Sequence, residues 1–193
     1  DWKYSDVTEE TGLNVNNSRW TQGGSWEDFD NDGDPDLYLA SDYGVNNLYR
    51  NDLQADGSRR FIDIAGPAGV QDSASGMSVA WGDYDCDGWM DLYVSNMYSY
   101  AGNRITFQDQ FKPDESADIL QRFQRFARGN TLLRNTGSTD DDNVQLFEDR
   151  SLDAAVNRGR WAWGSRFVDL NNDGWEDIVV ANGYVTTDDN GDL

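Results

Sequence analysis

Short apolar runs separated by polar turns recur along this chain. Leu37-Tyr-Leu-Ala40, Leu92-Tyr-Val-Ser95 and Ile178-Val-Val-Ala181 are β-prone runs bounded by Gly, Asn and Asp clusters, as expected of strands between tight turns. Asp56-Gly57 sits between the run ending at Arg50 and the one starting at Phe61, a hairpin-type dipeptide in hairpin position. An acidic stretch, Asp140 to Asp142, takes the equivalent place further along. The pattern predicts small antiparallel sheets and an all-β fold.

The units repeat. Trp26-Glu-Asp-Phe-Asp-Asn-Asp-Gly-Asp-Pro-Asp-Leu37 is matched by Trp81-Gly-Asp-Tyr-Asp-Cys-Asp-Gly-Trp-Met-Asp-Leu92, and a third copy runs from Phe167 to Asn182. Upstream, Asp6, Asp63 and Asp149 each follow an aromatic residue by two positions and precede the first aspartate of their loop by 22, 20 and 20 positions. Downstream, Asn47-Leu-Tyr-Arg-Asn51 answers Asn130-Thr-Leu-Leu-Arg-Asn135. We therefore divide the chain into a first repeat over residues 1–60, a second over 61–146 with a helical insertion at about 99–129, and an incomplete third over 147–193.

The insertion is the main irregularity: 39 positions separate Asp91 from Asn130 against 11 from Asp36 to Asn47, a difference of 28. Within it Ile119, Leu120, Phe123, Phe126 and Ala127 share one helical face, with Pro113-Asp114 before and Gly129 after, which predicts an amphipathic helix over 115–128 packed on the sheets. Arg122, Arg125 and Arg128 fall in its C-terminal half, where they complement the macrodipole or offer a docking patch to an acidic neighbour.

The first two repeats carry D-x-D-x-D-G-x-x-D, and the third carries the same pattern with Asn171 at its third position. Calcium takes six to eight oxygen ligands at flexible geometry, and alternating aspartates in a tight loop can aim several carboxylates at one centre. The first loop offers Asp28, Asp30, Asp32 and Asp36, with the Asp34 carbonyl. The second offers Asp83, Asp85, Asp87 and Asp91, with Trp89 at the carbonyl position. The third offers Asp169, Asn171, Asp173 and Asp177, with Trp175. Gly33, Gly88 and Gly174 permit the sharp turn. Neutral Asn171 predicts weaker binding at the third loop than at the second. An EF-hand reading fails, because Leu39, Val94 or Val180 stands where that loop needs Glu, and β-prone runs follow instead of helices. About three Ca2+, one per loop, are expected.

Composition narrows the partners. With 15 Lys and Arg against 36 Asp and Glu, the net charge of −21 repels nucleic acid and anionic lipid. Histidine is absent, which removes the usual general base and the Ser-His and Cys-His pairs. No phosphate loop, nucleophile elbow or zinc motif is present, so no catalytic residue and no enzyme activity are expected. Single Cys86 allows no internal disulfide, Asn16-Asn17-Ser18 is a glycosylation sequon, and no apolar run is long enough to span a bilayer. Trp26, Trp81 and Phe167, two positions before each loop, predict an equivalent aromatic layer in each core, while Trp89 and Trp175 are candidates to cover a neighbour or stack on a sugar.

The aspartate loops, the Phe-x-Asp-Val element before them and Asn-x-Leu-Tyr-Arg-Asn after them resemble the VCBS and FG-GAP repeats of integrin-α-like β-propellers and of ASPIC/UnbV-associated propellers. That resemblance implies four-stranded blades, calcium in each loop, a secreted or cell-surface location, and a role in adhesion or ligand binding. Three blades do not close a propeller, which needs four to eight. The expectation is a fragment of a larger propeller, or pairing of open ends with other copies. Partners are then calcium and a protein or glycan ligand or other copies of the chain; an accessory carbohydrate-binding module of a polysaccharide-active enzyme is the alternative.

Overall fold

The computed structural model describes residues 2–183. Asp1 and the segment ending at Gly191-Asp-Leu193, where the third repeat was expected to stop short, lie outside the described residues. The chain forms successive antiparallel sheets. The first contains β1 (Thr21–Glu27), β2 (Asp36–Ser41), β3 (Asn47–Leu53) and β4 (Arg59–Asp63), in that spatial order. The second contains β5 (Gly76–Gly82), β6 (Asp91–Asn96), β7 (Thr131–Thr139) and β8 (Gln145–Asp149), likewise in sequence order. A third pairs β9 (Ala162–Val168) with β10 (Asp177–Asn182). Within each sheet, neighbours in sequence are neighbours in space, and the β6–β7 connection alone among the described strands carries helices. The architecture is all-β and propeller-like, and the described sheets do not close on themselves.

The sequence repeat and the sheets are offset by one strand. Phe61-Ile-Asp63, which heads the second sequence repeat, pairs with β3 as the outer strand of the first sheet, and Phe147-Glu-Asp149 does the same with β7. Each outer strand thus covers the edge that the preceding hairpin would leave unpaired.

Period-two alternation assigns each face. On β6, Leu92 and Val94 enter a core shared with Phe29, Tyr38, Leu48, Val70 and Phe147 between the first and second sheets. Tyr93, between them in sequence, enters a second core with Ala80, Leu132 and Phe167 against the third sheet. The middle sheet is buried on both faces, so all six residues of β6 are buried.

The aromatic layer predicted at Trp26, Trp81 and Phe167 exists only where two sheets meet. Trp81 stacks on Phe29 at 6.1 Å and Phe167 meets Tyr93 edge-on at 6.2 Å. Trp26 is 52% exposed and meets Phe61 of the outer strand edge-on at 5.7 Å. Among the described residues no sheet precedes the first, so Trp26 lacks the opposing face that buries its counterparts.

The insertion holds two helices rather than one: α2 (Tyr100–Thr106), which the sequence pattern did not reveal, and α3 (Ala117–Ala127), inside the predicted span; a four-residue helix, α1 (Thr8–Thr11), precedes the sheets. Ser116 caps α3 by accepting from the Ile119 N–H. The apolar face of α3 is less covered than expected, since Ile119, Phe123 and Phe126 stay 37–39% exposed while only Ala127 is buried. Its arginines are spent internally: Arg122 pairs with Asp118 at 3.3 Å, Arg128 with Asp149 at 2.5 Å, and Arg125 with buried Asp72. Asp72 also accepts from Thr131 Oγ1 at 2.6 Å and Asn96 Nδ2 at 3.2 Å, which ties α3 to the seam between the first two sheets.

Candidate metal centre

Each aspartate loop joins the first two strands of a sheet, β1 to β2, β5 to β6 and β9 to β10. The turn depends on two left-handed residues. Position four is Asn31, Cys86 or Asn172 at φ 59, 56 and 57°, and position six is Gly33, Gly88 or Gly174 at φ 92, 87 and 90°. Asparagine tolerates this conformation and glycine adopts it freely, whereas Cys86 is strained there. With these two residues turned, the position-six N–H donates to the first aspartate: Gly33 to Asp28 at 3.0 Å, Gly88 to Asp83 at 2.9 Å and Gly174 to Asp169 at 2.9 Å. The fifth residue caps the next turn, as Asp32, Asp87 and Asp173 accept from the N–H of Asp34, Trp89 and Trp175 at 2.9, 3.0 and 2.9 Å.

The ninth residue comes from the start of the second strand and is held by the third. The Asn51 N–H donates to Asp36 at 2.8 Å, and the Asn135 N–H to Asp91 at 2.7 Å. Asp36 and Asp91 are 1% and 0% exposed. Burial pushes both carboxyls up to about 7 against those backbone N–H groups, and the neighbouring loop aspartates add to the effect. Asp30 is also raised, by burial first and then by Asp32. In the third loop no third strand passes among the described residues, and Asp177 remains half-buried, accepting from the Leu170 N–H at 3.2 Å.

The first two loops therefore converge. One carboxylate oxygen each from Asp28, Asp30 and Asp36 lies within 4.8 Å of the others, and so do those of Asp83, Asp85 and Asp91. Asn171 stands at the corresponding place in the third loop, where no three-carboxylate group arises among the described residues. Asp32 and Asp87 are not in these groups; nor is Asp34, whose carboxylate pairs with Arg59. Trp89 lies over Gly137, whose missing Cβ would fall 2.6 Å from the indole nitrogen, while Trp175 is 54% exposed. Asp173 is exposed and its N–H turns back to Asn171 Oδ1 at 2.8 Å.

Buried Asp28 Oδ1, Asp36 Oδ2 and Asp85 Oδ1 have no protein hydrogen-bond partner. Crowded, desolvated, unpaired carboxylate oxygens are costly unless a cation neutralises them, so this donor set fits a hard divalent ion.

Sequence reasoning misplaced one framework residue. Asn46, not Asn47, is the counterpart of Asn130. Asn46 accepts from the Ser41 N–H at 2.8 Å and donates to Tyr38 Oη at 3.1 Å; Asn130 accepts from the Asn96 N–H at 2.8 Å and donates to Tyr93 Oη at 2.8 Å. The insertion is thus one residue longer than the sequence alignment implied. These asparagines orient the strand that buries Asp36 and Asp91, and the run of two asparagines at 46–47 hid which of them does so.

Residues 28–94 match the sequence family described as the FG-GAP-like repeat, a span running from the first ligand of the first loop into β6. Over that span the chain is similar to that family. No curated protein matches it. Among the described residues no helix is long and apolar enough to cross a membrane.

Proposed function

We propose that the chain is a calcium-binding, propeller-type module of an extracellular protein, whose loops hold Ca2+ between the first two strands of each sheet and whose blades serve adhesion, ligand binding or assembly. The convergence of three carboxylate oxygens within 4.8 Å in each of two loops carries the metal part of this reading. Asp28, Asp30 and Asp36, and Asp83, Asp85 and Asp91, would hold the ions directly. Magnesium suits the loops less, because it demands near-octahedral geometry and retains several waters. The ions neutralise buried charge and hold the β1–β2 and β5–β6 hairpins shut, a stabilising rather than a catalytic role. We assign the chain no reaction.

Thermal unfolding in excess Ca2+ and in chelator, with sedimentation velocity on both samples, tests this. A calcium-dependent rise in Tm supports the loops, and concentration-dependent association supports assembly between copies. An unchanged Tm would mean the acidic loops are solvated turns.

One observation favours a glycan ligand within the same reading. A polar cleft of about 620 Å3 runs between the first loop and the β7–β8 hairpin, with Trp89, Arg50, Gln54 and Asn143 on its walls. An indole beside amide and charged groups suits a saccharide. Glycan-array binding that is lost in Trp89→Ala while the calcium effect on Tm persists would support it.

A further inference from the structure

Arg50 and Arg134 hold the same place in the first two sheets, each one residue before the asparagine whose N–H donates to the last loop aspartate. They turn to different acids. Arg50 lies against Asp52 on its own strand, with Nε 2.7 Å from Oδ1 and Nη2 3.2 Å from Oδ2. The residue at the corresponding place in the second sheet is Thr136, which carries no charge and donates to the Leu146 carbonyl at 2.9 Å. Arg134 turns instead onto the second loop, with Nε 2.5 Å from Asp85 Oδ2 and Nη2 2.6 Å from Asp87 Oδ2.

We propose that the pair Asp52 and Thr136 ranks the two loops in cation affinity, by deciding whether the strand arginine rests on its own strand or on the loop. The inference depends on the cation reading above. In the second loop the guanidinium occupies the outer oxygens of Asp85 and Asp87, leaving Asp85 Oδ1 turned inward without a partner. Arg134 is therefore a positioning residue that orients Asp85, and also a fixed positive charge that offsets the loop's own. Ligand charge count tunes calcium affinity, and a like charge within a few ångströms opposes the incoming ion. The Arg134 side chain is 29% exposed, so solvent screens only part of that repulsion. The first loop, whose strand arginine is diverted to Asp52 and whose Arg59 rests on Asp34, outside the three converging carboxylates, binds the cation more tightly than the second, by roughly fivefold to tenfold.

The two loops can be followed separately in the full chain, because the Gly33 and Gly88 N–H groups each donate to the first ligand of their own loop. A calcium-buffered titration of the 15N-labelled protein, read at these two amides, should give a lower midpoint for Gly33 than for Gly88. Thr136→Asp supplies the acid that the first sheet already accommodates; it should lower the Gly88 midpoint severalfold and leave Gly33 unmoved. Arg134→Gln should also lower the Gly88 midpoint, and Asp52→Thr should raise that of Gly33. A Gly88 midpoint that stays put or rises in both Thr136→Asp and Arg134→Gln overturns the proposal. If neither amide responds to calcium in the unsubstituted chain, the cation reading itself fails, a different result.

Discussion

Asn31 of the first loop donates its side-chain amide to the carbonyl of Gly88 in the second, 3.2 Å away. The contact repeats one unit on, where Cys86 Sγ lies 3.7 Å from the Gly174 carbonyl. Position four of one loop thus reaches position six of the next, and the loops form a connected row along one rim of the stacked sheets. The left-handed turn at position four is what aims the side chain outward from its own ligands and toward the neighbouring loop.

Cys86 makes this contact with a weak donor from a conformation that asparagine adopts more readily. Cys86→Asn is expected to stabilise the protein by about 0.5–1 kcal/mol, and Asn31→Ala, which loses both amide and backbone preference, to destabilise it by about 1–2 kcal/mol. Urea midpoints at fixed calcium check both; equal midpoints for Asn31→Ala and the parent would show that the row carries no energy.

Asp36→Asn should change sign with calcium. In chelator at alkaline pH the amide removes a buried charge, so stability is unchanged or raised by up to roughly 2 kcal/mol. In saturating calcium the same substitution removes a ligand and lowers Tm. Parallel thermal scans in the two media decide it, and a loss of equal size in both would make Asp36 a packing residue.

The metal-free protein should also show an inverted pH dependence. Asp36 and Asp91 titrate near 7 when folded against an ordinary value of 3.8, so between those limits the folded chain binds protons more readily than the unfolded one. Stability in chelator is lowest above pH 7, rises as the pH falls through 7, and levels off near 4. Protons and calcium compete for the same carboxylates, so the calcium-induced gain in Tm shrinks over that range. Thermal scans across the interval, with and without calcium, measure both trends.

Arg125 and Asp72 form the most buried ion pair of the insertion, with Asp72 5% exposed. Arg125→Met leaves Asp72 charged and only partly satisfied, and should destabilise the protein by about 3 kcal/mol, loosening α3 from the seam of the sheets. Asp72→Asn in the same background should recover part of that loss. A double-mutant cycle by urea denaturation, with hydrogen exchange at α3, reads both; additive effects would mean that the pair is not coupled.

The local elements were legible in the sequence because their causes are local. Aspartate spacing and Gly33, Gly88 and Gly174 specify the loop turn within nine residues, short β-prone runs between turn residues mark β2 and β6, and the 3.6-residue period marks α3. Other features depend on what the fold places opposite a residue. Trp26 and Trp81 have the same sequence neighbourhood, yet only Trp81 meets a second sheet. Asp36 and Asp177 occupy the same loop position, yet only Asp36 is held by a third strand, through the Asn51 N–H. Arg125 reads as a helix-end cation and becomes the partner of Asp72, 53 residues away. Sequence determined where carboxylates could gather; tertiary structure decided which are desolvated, because burial is a property of both faces of a contact and the second face comes from elsewhere in the chain.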